Sequence, residues 1–106
     1  MSQRHPVPAA QVPAAGQRAL LAIGGQSIAL FNLDGHFHAI ADSCPHQGSS
    51  LCAGQLQGRV IQCRAHGLRF DLASGYLLNS TALKVTTYPV EHDGEQLFIV
   101  IEDPAP

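Results

Sequence analysis

The sequence predicts an all-β domain, an antiparallel sandwich or small barrel. Three observations predict it. From Arg18 onward the chain is a series of short β-type segments broken by glycine-containing turns; no segment carries a helical stripe; and 106 residues leave room for one modest hydrophobic core.

Residues 1–16 (MSQRHPVPAAQVPAAG) are rich in Pro and Ala with little periodicity and read as a loose N-terminal lead-in. ALLAI (19–23) meets Gly24-Gly25, and SIALFNL (27–33) runs into Asp34-Gly35 before HFHAIAD (36–42) returns. Asp-Gly between two such runs marks a hairpin closed by a type I′ turn. RVIQC (59–63) and GLRFDL (67–72) are the next strands, with a turn at Ser74-Gly75. KVTTYPV (84–90) and QLFIVI (96–101) flank His92-Asp93-Gly94-Glu95 as a further hairpin, and Pro89 confines its strand to an edge or a strand end. With no repeat or linker between Arg18 and Asp103, residues 1–106 are expected to form a single domain.

Charge excludes several functions. Only 13% of residues are charged, about half the usual share, and the net charge is −2. Nothing is basic enough to track a phosphate backbone, so no nucleic-acid partner is expected. No apolar run reaches the eighteen or so residues that span a bilayer, and the first residues lack the apolar stretch of a secretory signal. A cytoplasmic protein without a membrane partner is expected. In that reducing compartment, three Cys do not suggest a disulfide framework; beside six His they raise a soft-metal site instead.

The stretch Asp42–Leu56 (DSCPHQGSSLCAGQL) breaks the strand pattern and reads as a long irregular loop, which in a small domain commonly serves function. It holds Cys44-Pro45-His46, and Cys63-Arg64-Ala65-His66 follows further on, with Gly67 immediately after. Ligands separated by one or two residues can face one metal centre from a single tight loop. Pro45 stiffens the first loop, and Gly67 lets the second turn sharply after its last ligand. Two thiolates and two imidazoles suit either tetrahedral zinc or an iron–sulfur cluster.

Cys44-x-His46 with Cys63-x-x-His66 resembles the Rieske-type 2Fe–2S ferredoxins, and ALFNLDGHFHAIADSCPHQGSSL and GQLQGRVIQCRAHGLRFDLASG look like that family's hairpin and two cluster loops. The resemblance covers roughly residues 18–101. It implies a Rieske-type antiparallel β sandwich or small barrel, with a cluster-binding part over 42–75 formed by two loops. It also implies one 2Fe–2S cluster, with Cys44 and Cys63 on the inner iron and His46 and His66 on the outer, surface-facing iron. High-potential members carry an extra cysteine in each loop, joined as a disulfide; the matching positions here are Ser49 and Ala65. Gly67 and Leu68 stand where the family has a hydroxyl donor after the second histidine. Fewer hydrogen bonds to the sulfurs stabilise the reduced cluster less, so the implied potential is at the low end of the Rieske range, about −150 mV.

The family's activity implies a soluble one-electron carrier with no catalytic residues of its own, taking electrons from a flavin-dependent NAD(P)H reductase. It would pass them to a terminal Rieske non-haem iron oxygenase, as a monomer docking transiently at the His46/His66 end. Two alternatives compete: the small Rieske-fold subunit of an assimilatory nitrite reductase, and a zinc-stabilised binding module. Cys52 reads as a half-buried packing residue, and His36 and His38 as exposed residues sharing one strand face. His5 and His92 have no assigned role. Arg64, beside a ligand, reads as a solvated loop residue or as a charge that aids docking or the reduced cluster.

Overall fold

Ile28-Ala29-Leu30-Phe31 is an uninterrupted apolar run, and a strand of that kind needs cover on both faces. The computed structural model, which describes residues 2–43, 50–64, 67–80 and 83–102, provides that cover. Its strands are β1 (Ser2–Val7), β2 (Arg18–Ile23), β3 (Gln26–Leu33), β4 (His36–Ala41) and β5 (Gln55–Gln57). They continue with β6 (Val60–Gln62), β7 (Arg69–Asp71), β8 (Thr87–Tyr88), β9 (Val90–Asp93) and β10 (Gln96–Glu102). The sheets run in the orders β1-β10-β9, β2-β3-β4-β8 and β5-β6-β7, every pairing antiparallel. Among the described residues the only helical element is a 3-10 turn at Ala9–Gln11, and no helix is long and apolar enough to cross a membrane.

The run sits in β3, at the centre of the middle sheet. Ala29 and Phe31 point into one core with Ile40, Leu51, Ile61, Phe70 and Val85. Ile28 and Leu30 point into the other with Val7, Leu21, Ala39, Leu97 and Ile99. Alternation along one strand therefore supplies two cores, one beneath each flanking sheet. Turn chemistry sets the registers: Asp34 (φ 53°) and Gly35 (φ 88°) both lie in the left-handed region that a type I′ turn requires, pairing Leu33 with His36. Asn32, buried and polar, accepts from Gly35 N–H (2.8 Å) and donates to Pro13 O (2.9 Å), so neither side-chain atom is orphaned.

Three expectations need correction. The N-terminal residues are not a loose lead-in, because Ser2–Val7 form β1 on the free edge of β10, where Val7 is buried. Pro6 is tolerated there because β1 is an edge strand. The irregular loop also ends early: Gln55–Gln57 form β5 against β6, with Gln57 opposite Val60. KVTTYPV is not one strand; Pro89 ends β8 and lets the chain cross into β9, in a different sheet.

Phe31→Ala should lower stability by about 3–5 kcal/mol, since it empties a fully buried ring site, whereas Leu20→Ala on the outer strand β2, where Leu20 is 58% exposed, should change it by about 0.5 kcal/mol or less. Urea midpoints of the two variants measure the contrast.

Candidate metal centre

The first loop leaves β4 at Ala41, whose N–H donates to Thr86 O (2.9 Å), and Asp42 N–H donates to Ser27 O (3.0 Å), so the exit is pinned to the middle sheet. The Asp42 carboxylate then closes the mouth of the loop. Its oxygens accept from Ser50 Oγ (2.9 and 2.8 Å) and from Cys52 N–H (2.6 Å). Leu51, between those two anchors, is fully buried in the Phe31 core. Arg18 of β2 reaches the same limb, donating to Cys52 O (3.1 Å) and Gly54 O (2.6 Å).

Gly54 brings the first loop onto the second. A Cβ at this position would overlap the Gln62 carbonyl oxygen, so only glycine allows this approach of backbone to backbone. The next residue, Cys63, is fully buried at the end of β6. Its N–H donates to Leu68 O (2.8 Å) and its carbonyl accepts from Gly67 N–H (2.9 Å), which closes a tight turn with Gly67 at φ 71°. A cleft of about 250 Å³ opens beside it, lined by Gln55, Gln62, Cys63, Arg64 and Gly67. Arg64 itself is exposed, so the chain passes from interior to surface in one residue.

Of the four sequence-predicted ligands, Cys63 is described; Cys44, His46 and His66 lie outside the described residues. Among the described residues no group of three or more His, Cys, Asp or Glu could share a metal ion. Cys52 packs half-buried against the Phe31 core. Burial and the neighbouring Asp42 push its thiol up against a downward pull from Arg18, which favours the neutral thiol. His36 is exposed, but His38 is half-buried, which departs from the expected exposed pair. Burial lowers the His38 imidazole, with Arg59 lowering it further, Asp71 opposing and His36 adding a smaller downward effect. Asp42, Gly54 and Arg18 were not anticipated as parts of the frame.

Asp71 fastens the turn after β7. Burial works to raise its carboxyl, but hydrogen bonds from Ser74 Oγ (3.0 Å), Arg59 Nε (2.8 Å) and Ala73 N–H (3.4 Å) outweigh this and hold it below its ordinary value of 3.8.

A buried cysteine at the root of a tight turn, beside an open cleft and braced by a second loop, is a place where a small β protein can hold a metal–thiolate centre. The model of the Rieske [2Fe-2S] domain matches residues 5–89, and the chain belongs to that family. It is 35% identical, over all of both chains, to the 3-phenylpropionate/cinnamic acid dioxygenase ferredoxin subunit of Escherichia coli (strain K12). It is 32% identical to the ferredoxin component of the naphthalene 1,2-dioxygenase system of Pseudomonas aeruginosa, over 73% of this chain and 75% of that one. Among solved structures, the ferredoxin of carbazole 1,9a-dioxygenase from Nocardioides aromaticivorans IC177 has the same fold (TM-score 0.78, 24% identity, 90% of this chain and 96% of that one). A chain from a complex of reduced oxygenase and oxidized ferredoxin in carbazole 1,9a-dioxygenase matches with TM-score 0.76 and 27% identity, over 89% and 98% of the two chains. The protein is an electron-transfer component carrying a single Rieske-type 2Fe–2S cluster. Cys63 fits that group: a soft sulfur donor on a buried residue that lines a cleft beside the exposed Arg64.

Gly54→Ala should destabilise the protein by about 1–3 kcal/mol and speed iron loss, because the first loop can no longer lie against Gln62; urea denaturation and iron content per chain test both. Because the Asp71 carboxyl is lowered in the fold, its contribution to stability is present above about pH 4 and is lost as pH falls through the lower folded value. Asp71→Asn should therefore flatten the fall in urea midpoint on the acid side of pH 4 and leave the shape near neutrality unchanged.

Proposed function

We propose that this chain is a soluble one-electron carrier, accepting electrons from a flavin-dependent NAD(P)H reductase and delivering them to a terminal Rieske non-haem iron oxygenase. Full-length similarity to ferredoxin subunits of dioxygenase systems carries this reading. Residues 1–106 act as one domain in which 42–75 form the cluster-binding part; the Asp42–Ser50 closure and the β5-β6-β7 sheet support that boundary. The carrier works as a monomer in the cytoplasm.

In this reading Cys44, His46, Cys63 and His66 would hold the cluster, the two cysteines binding one iron and the two histidines the other. When bound, the cluster supplies a reversible one-electron ferric–ferrous change. The chain's own residues tune and confine that change. Two neutral imidazoles in place of two thiolates leave the oxidised centre formally neutral, so one electron takes it only to −1, whereas four thiolates would take it from −2 to −3. Burial of Cys63 keeps water from the inner side. The absence of cysteine at Ser49 and Ala65, and of a hydroxyl at Gly67 and Leu68, leaves the sulfurs with few donors and keeps the potential low. In this reading docking takes place at the His46/His66 end, where imidazole ligands would give an electron a short route to a partner. Arg64, exposed beside that end, adds local positive charge to a surface with little charge overall.

Anaerobically purified protein should contain iron and sulfide in equal amounts and give a rhombic, low-g EPR signal after dithionite reduction, with a midpoint of about −150 mV. Colourless, EPR-silent protein containing zinc would overturn the carrier reading, and a midpoint well above zero would overturn its low-potential assignment.

A further inference from the structure

Cys52 is held at both ends of its backbone by charged side chains from other elements. Its N–H donates to Asp42 Oδ1 (2.6 Å), at the exit of β4. Its carbonyl accepts from Arg18 Nη1 (3.1 Å), 34 positions away on β2. The same nitrogen donates to Gly54 O (2.6 Å), and Gly54 lies against the backbone of Gln62, next to Cys63. The limb 50–54 is thus fixed from the middle sheet on one side and pressed on the root of the second loop on the other. The Arg18 guanidinium also lies 6.0 Å from the centroid of the buried Phe31 ring, so the clamp is footed on the core beneath the site.

We propose that Arg18 and Asp42 are positioning residues for the cluster: together they clamp the limb 50–54 and so set the spacing between the loop of Cys44 and His46 and the loop of Cys63 and His66. The proposal rests on the reading of those four residues as ligands. Hydrogen bonds to charged groups are the strong ones in water-exposed loops, and these two act on opposite ends of one peptide segment. Each acts through the backbone of Cys52. Their opposite charges also separate the mechanical role from an electrostatic one. Loss of Arg18 removes a positive charge and loss of Asp42 a negative one, so through-space effects on the potential have opposite signs. A mechanical clamp loosens in the same direction whichever side is cut.

The experiment compares intact, cluster-loaded wild type with Arg18→Met, Arg18→Lys and Asp42→Ala. It reads iron release to a ferrous chelator after reduction, midpoint potential, and hydrogen exchange at the amides of Cys52 and Gly54. Arg18→Met and Asp42→Ala should both release iron about tenfold faster and exchange faster at those amides, while their potentials move in opposite directions and β3–β4 amides stay protected. Arg18→Lys, which keeps a donor and the charge, should restore most of the retention. Release at the wild-type rate in both variants would overturn the clamp, as would release that speeds in one and slows in the other. Wild-type protein that holds no Rieske cluster would instead defeat the ligand reading, a result distinct from either.

Discussion

The strand β3 is buried on both faces, and the rest of the molecule depends on that constraint. Its four central residues alternate between two cores, so a shift of register by one position would exchange every one of them. Both flanking sheets are thereby locked to one arrangement. The β5-β6-β7 sheet, which carries Cys63, rests on Ala29, Phe31 and Ile40, and inherits its placement from a strand whose own register cannot drift. A redox centre benefits from that inheritance, because a frame that does not move between two charge states has little to reorganise.

Charge contributes little to the architecture and much to the site. Among the described residues the two ion pairs, Arg4–Glu91 and Arg59–Asp71, are partly or mostly exposed, and pairs of that kind stabilise weakly. Asp42 and Arg18, by contrast, spend their charge on backbone groups of the first loop. In a chain with few charged residues, two are committed to a short limb that lies against the backbone next to Cys63. Fold stability comes from apolar burial, while loop geometry comes from charged hydrogen bonds.

How much of this was legible in the sequence follows from how far each signal reaches along the chain. The β3–β4 hairpin was legible because Asp34-Gly35 prescribes its turn locally, and the Cys-x-His and Cys-x-x-His pairs were legible because each is a contiguous motif. SQRHPV has no apolar alternation and contains a proline, so nothing in it announces a strand; β1 exists because β10 offers it an edge. QLQ is too short, with one apolar residue, to be distinguished from the loop before it. Gly54 looks like any loop glycine until Gln62 is placed against it. Arg18 meets its acceptors 34 and 36 positions away, a distance over which a single sequence carries no pattern.

The pairing of β1 with β10 has a consequence for how the chain is made. Gln96 Nε2 donates to Val7 O (2.8 Å) across 89 positions, so β1 is completed only once β10 has been made. Contacts of that separation form late and slowly. During synthesis β1 waits without a partner, and its composition suits the wait: a polar, proline-bearing segment is a poor template for another chain. The weak strand signal in those residues is thus a safeguard for a nascent chain, and the arrival of β10 is the event that ends the need for it.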